Sequence, residues 1–90
     1  MEIEVKILNR LGLHARPAAL IAQCAGRFKS AVRLIPSGSS SDGADAKSIL
    51  SLLMLGAPYG TVLTLDAVGS DEAEAAAAIA SLFADKFDEE

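Results

Sequence analysis

The sequence is poor in the residue types that usually carry chemistry. Its 90 residues include one histidine, one cysteine, one tyrosine and no tryptophan. A lone cysteine, Cys24, excludes an intrachain disulfide and fits a reducing compartment. A lone histidine, His14, excludes a His-based metal cluster. No Gly-rich nucleotide loop and no Ser-His-Asp set is evident. Asp42 and Asp45 lack the spacing of a ligand set and read as loop and cap residues, so neither a metal nor a cofactor is expected. Long apolar runs are missing as well. The longest falls far short of a membrane span, and the start, Met1-Glu-Ile-Glu, lacks the basic-then-apolar pattern of a signal peptide. No membrane insertion and a cytoplasmic location are expected. Basic residues are outnumbered eight to twelve, giving a net charge of −4, which argues against general nucleic-acid binding.

What is present is aliphatic. Apolar residues make up 51% of the chain and aromatics only 4%. That is too apolar for a disordered chain and predicts an alanine-rich core. The length predicts one domain, residues 1–90, built as two layers. Glu2–Ile7 alternates, with Ile3, Val5 and Ile7 on one face, and reads as a half-buried strand. A loop from Asn9 to Leu13 precedes a helix over about Arg16–Phe28, with Leu20, Ile21, Cys24, Ala25 and Phe28 as its buried stripe and Gly26 near its end. Ala31–Pro36 is a second strand, and a serine- and glycine-rich turn leads to a weak third strand over Ser41–Asp45, read as a short edge strand. Ala46–Leu55 reads as a helix stopped by Gly56 and Pro58. Thr61–Val68 reads as a fourth strand. A last helix starts at Ser70 or Asp71, with Glu74 in capping-box position to Asp71 and a stripe of Ala73, Ala76, Ile79, Ala80, Phe83 and Phe87. The acidic tail, Asp88–Glu90, is expected to fray. The order βαββαβα predicts an α+β fold, one antiparallel sheet covered on one face by helices.

The stretch Asn9–Pro17, Asn-Arg-Leu-Gly-Leu-His-Ala-Arg-Pro, concentrates the chemistry. Pro17 is suited to a first helical turn, where its missing N–H has no partner to lose. His14 should therefore sit at a helix mouth, where free N–H groups and the positive end of the dipole favour phosphate. A neutral imidazole is a good nucleophile near neutral pH. The basic residues Arg10, Arg16, Arg27, Lys29 and Arg33 fall within the first 33 residues, so an acidic protein can carry a locally basic patch there. These features point to a histidine that carries a phosphoryl group.

The same stretch resembles the active-site motif of HPr, the histidine-containing phosphocarrier family of the bacterial phosphoenolpyruvate-dependent sugar phosphotransferase system. A second block, Ala46-Lys-Ser-Ile-Leu-Ser-Leu-Leu-Met-Leu-Gly56, resembles that family's regulatory-serine and second-helix motif, and the similarity spans almost the whole chain. The resemblance implies an open-faced β-sandwich with a four-stranded antiparallel sheet and three helices. It implies a relay, not an enzyme with its own turnover: His14 takes a phosphoryl group from phosphorylated Enzyme I and passes it to an EIIA domain, with Arg16 pairing with the group. Ser48 matches the serine that a dedicated HPr kinase/phosphorylase modifies in many relatives. A monomer is expected. The chain departs from the family pattern at Ser37–Asp45 and at Pro58-Tyr59.

The second helix has more apolar residues than one buried face needs. Leu52 and Leu55 are core candidates, which leaves Ile49, Leu50 and Leu53 toward solvent. With Arg10 and Pro17 they are the expected partner surface. Alternatives remain a carrier in a nitrogen-regulatory branch, a regulatory binding module acting through Ser48, and a plain α+β ligand-binding domain.

Overall fold

Alternation in the first strand is matched by alternation in the fourth. In the computed structural model, which describes residues 1–89, β1 (Glu2–Lys6) runs antiparallel to β4 (Val62–Val68), pairing Ile3 with Leu65 and Val5 with Leu63. On the other side of β4 lies β2 (Ala31–Pro36), which pairs Leu34 with Leu65 and Val32 with Ala67. β3 (Ala44–Asp45) closes that edge, so the strand order is β1-β4-β2-β3. A two-residue edge strand follows from its Gly- and Asp-rich approach, which disfavours a longer ladder.

Because side chains alternate across a strand, the register fixes both faces. Val5, Val32, Leu34, Leu63, Leu65 and Ala67 are buried under the helices. Glu2, Glu4, Lys6 and Arg33 lie exposed on the other face, with Thr64 and Asp66 half-buried beside them. The helices α1 (Ala15–Ala25), α2 (Ile49–Leu55) and α3 (Glu72–Ala84) cover the apolar face, and a 3-10 turn, Lys86–Asp88, follows α3. The expected α+β class and open-faced arrangement are what the structure has. No helix among the described residues is long and apolar enough to cross a membrane.

Several local expectations need correction. α1 ends at Ala25 with Gly26 as its cap, and Leu20 and Phe28 are only half-buried; Pro17 and Ala18 complete the buried face instead. α2 begins at Ile49, three residues later than expected. Its predicted first turn is diverted, since the Ala46 N–H bonds to the Val32 carbonyl and the Lys47 N–H to the Asp45 side chain. On α3, Ala73 is exposed while Ala75, Ala76, Ile79 and Phe83 are buried.

Asp71 precedes α3 but makes no side-chain capping bond. Its carboxylate instead accepts from the Ser30 hydroxyl at 2.6 Å and from the N–H groups of Ser30 and Lys29 at 2.9 Å each. It ties the start of β2 to the start of α3. The Ser30 hydroxyl, followed by the Lys29 N–H, holds the carboxyl down from its ordinary 3.8 to about 2. A depressed carboxyl contributes stability that is complete above its unfolded value and is lost as pH falls through its folded value. Acid should therefore erode this clamp between about pH 4 and pH 2. Asp71→Asn is expected to lower stability at neutral pH and to flatten that acid limb. Denaturant titrations across this range would show it, and an unchanged limb would count against the clamp.

Candidate functional site

The loop ahead of α1 is fixed before any side chain reaches out from it. The Gly12 N–H bonds to the Asn9 carbonyl at 3.1 Å, closing a tight turn over Arg10 and Leu11. The Leu13 N–H bonds to the Ala57 carbonyl at 2.9 Å, pinning the loop to the segment after α2. Gly12 sits at φ +72°, and a Cβ there would meet the Ala57 oxygen at 2.8 Å and Pro58 Cα at 3.0 Å. Only glycine meets both demands, the left-handed backbone and the close approach. Two separate segments are thereby held together, the His14 loop and the end of α2.

His14 is the N-cap residue of α1, in extended conformation, and its side chain makes no capping bond. The Ala18 N–H is the first to bond back, to the His14 carbonyl. The helix itself therefore offers no partner to the N–H groups of Ala15 and Arg16. Pro17 occupies the first turn as expected, but its ring is fully buried. That corrects its expected place on a partner surface, because it has no accessible face to present.

The imidazole is held from an unexpected direction. His14 Nε2 lies 2.8 Å from Glu89 Oε2, and the other oxygen of that carboxylate accepts from Asn9 Nδ2 at 3.0 Å. The same Asn9 amide donates to the Gly12 carbonyl at 2.7 Å, and Asn9 is fully buried. Among the described residues its Oδ1 is the one buried side-chain polar atom with no hydrogen-bond partner. Arg16 is exposed, and its Nη1 donates to the Phe87 carbonyl at 3.3 Å. The tail was expected to fray from Asp88 onward. Instead Asp88 lies in the 3-10 turn and Glu89 reaches the histidine; Glu90 lies outside the described residues.

The other expected site residues lie on the neighbouring surface. Ser48 is the N-cap of α2, and its hydroxyl oxygen accepts from the Ser51 N–H at 3.1 Å. Gly56, left-handed at φ +61°, closes this helix. Leu52 is fully buried and Leu55 half-buried, leaving Ile49, Leu50 and Leu53 exposed. Leu11, Met54 and Tyr59 are exposed too, at 74%, 78% and 62%, and extend this apolar surface beyond the residues picked out from the sequence. Arg10 is exposed in the turn over Asn9–Gly12. Exposed apolar residues around a loop whose histidine is partly open suit a reaction shared with a docking protein.

Comparison with known proteins gives the class first. The family model described as "PTS HPr component phosphorylation site" matches residues 1–85, which makes this a phosphocarrier rather than an enzyme. The phosphocarrier protein HPr of Treponema pallidum is 45% identical over 86 residues, covering 96% of this chain and 94% of the relative. The phosphocarrier protein NPr of Proteus mirabilis is 41% identical over 88 residues, covering 96% and 93%. A crystal structure of HPr-C-His from Thermoanaerobacter tengcongensis superposes with a TM-score of 0.89 at 41% identity, covering 100% of this chain and 98% of that one. The chain belongs to the HPr family of the phosphotransferase system.

Proposed function

We propose that His14 accepts a phosphoryl group from phosphorylated Enzyme I and hands it to an EIIA domain in sugar uptake. The observation that carries this reading is the placement of the imidazole at the mouth of α1. It is uncapped and partly exposed, beside N–H groups that the helix leaves unpaired. Such a mouth stabilises the dianionic group once it arrives. Arg16 supplies the mobile charge. Its guanidinium rests on a neutral carbonyl, Phe87 O, and a charge-assisted bond to phosphoryl oxygens is stronger than that contact. The test is to mix the protein with phosphoenolpyruvate and Enzyme I and look for one acid-labile phosphate, mapped by mass spectrometry. Acid-stable label, or none, would overturn the reading.

The exposed residues Ile49, Leu50 and Leu53 form the docking face in this reading, with Arg10 at its edge. Ser48 lies beside them and is the regulatory site. A phosphate there keeps an acceptor at the helix start, so it adds charge to the face without unfolding the helix. Leu50→Asp and Ser48→Asp place that charge by mutation. Each is expected to raise the apparent KM for Enzyme I by about tenfold, the scale of a moderate interface residue, with thermal stability unchanged. An unchanged KM in both would remove this face from the docking surface. One relative bears the name NPr, so a separate phosphotransfer branch, the nitrogen-regulatory one, is the second reading. It keeps His14 and exchanges the partners, and comparing phosphorylation rates with the Enzyme I of each branch decides between them.

A further inference from the structure

The contact between Glu89 and His14 joins residues 75 apart in sequence. It is built, not incidental. Lys86, Phe87 and Asp88 all have left-handed backbones, with φ of +54°, +55° and +60°. A left-handed backbone is disfavoured for any residue with a Cβ, so three in succession need an offset. The Phe87 ring supplies part of it, being 1% exposed and set edge-on against Phe83 with centroids 5.0 Å apart. Asn9 fixes one Glu89 oxygen. The strained turn thus aims the second oxygen at Nε2. The Glu89 side chain is only 14% exposed there, against 36% for His14.

We infer that Glu89 is a positioning residue for phosphoryl transfer; the inference rests on His14 being the acceptor. A carboxylate oxygen only accepts a hydrogen bond, so the imidazole nitrogen facing it carries the hydrogen. That places the neutral ring's lone pair on Nδ1, on the opposite side of the ring. A carboxylate beside the attacking nitrogen would repel an incoming phosphoryl group. On the far nitrogen it does the reverse, as in a hydrolase triad where an acid orients a histidine through its other nitrogen. Nδ1 attacks phosphorus and the N–P bond forms. The bond from phosphorus to the donor atom breaks, and its electron pair leaves with the donor. The hydrogen stays on Nε2 throughout, so the phosphorylated ring is cationic, and Glu89 faces that positive charge. On transfer to the acceptor the steps reverse and the ring returns to the same tautomer.

Wild type, Glu89→Ala, Glu89→Gln and a His14→Ala control would be compared with phosphoenolpyruvate and Enzyme I as the phosphoryl source. Glu89→Ala should transfer about tenfold more slowly, the rate equivalent of one hydrogen bond to a charged group, with KM for the donor unchanged. Glu89→Gln, whose amide oxygen still accepts, should recover part of the rate. Nitrogen-15 NMR of the ring, which needs no transfer, should find the hydrogen on Nε2 in the wild type and that preference weakened in Glu89→Ala. Rates in Glu89→Ala equal to or above wild type, or a wild-type ring protonated on Nδ1, would overturn the role of Glu89. A wild type that takes up no label would overturn the acceptor reading itself, while the NMR result would still show whether Glu89 sets the tautomer.

Discussion

His14→Ala should take up no phosphoryl group from phosphorylated Enzyme I while remaining folded. The loss is expected to be complete because no other imidazole exists in the chain to form a phosphoramidate. Nor can a neighbour replace it. A serine hydroxyl such as that of Ser48 is a weak nucleophile unless a base or a dedicated enzyme activates it, and Arg16 offers no nucleophile. The fold should survive because the ring lies outside the core and caps no helix N–H. What the substitution removes structurally is one partly exposed contact to Glu89, a class of pair worth at most about 1 kcal/mol. Circular dichroism and thermal melts would check the fold, and radiolabel transfer would check the function. Normal labelling of this variant would remove His14 from the mechanism.

Phe87→Ala should have the largest effect on stability, and it should reach the site from a distance. The ring is 1% exposed and packs edge-on against Phe83. Deleting a buried Phe side chain costs about 3–5 kcal/mol, a large share of the roughly 5–15 kcal/mol that holds a domain together. The lower end is expected here, because the turn lies near the end of the described chain and can detach instead of leaving a cavity. Detachment would leave three left-handed residues without their offset and would withdraw Glu89 from Nε2. The variant should therefore melt earlier and also show the slowed transfer expected of Glu89→Ala. Chemical denaturation with hydrogen exchange across residues 85–89 would read both. Near-wild-type stability would mean that the tail is not anchored through this ring.

The elements that were legible in the sequence are those whose signal is local. Ile3, Val5 and Ile7 alternate with charged residues, and that pattern makes β1 wherever the strand is placed. Ala31–Pro36 appears at its expected limits, because an apolar run bounded by a serine and a polar turn has few other choices. Gly56 ends α2 because a left-handed residue stops a helix whatever surrounds it. Misreadings arose where a residue had two possible partners. Asp71 is placed to cap α3, yet it bonds Lys29 and Ser30, which lie 42 and 41 residues away. In the alanine-rich stretch Ala75–Ala80 every position is apolar, so periodicity could not say which side faces the sheet. The site followed the same division. His14, Arg16 and Ser48 stand in motifs and were picked out directly, whereas Glu89 looks like part of a solvated acidic tail.

The sequence by itself determined that this chain makes an α+β domain of the HPr family, with one histidine at the start of a helix. Those outcomes depend on short-range patterning and on two motifs at a fixed separation. Only the tertiary structure decided what the histidine touches. Burial of Phe87 against Phe83 folds the tail back, Asn9 catches one oxygen of Glu89, and the other meets Nε2. A contact across 75 residues leaves no mark in local composition, because it comes from where packing brings the chain and not from what the neighbouring residues are.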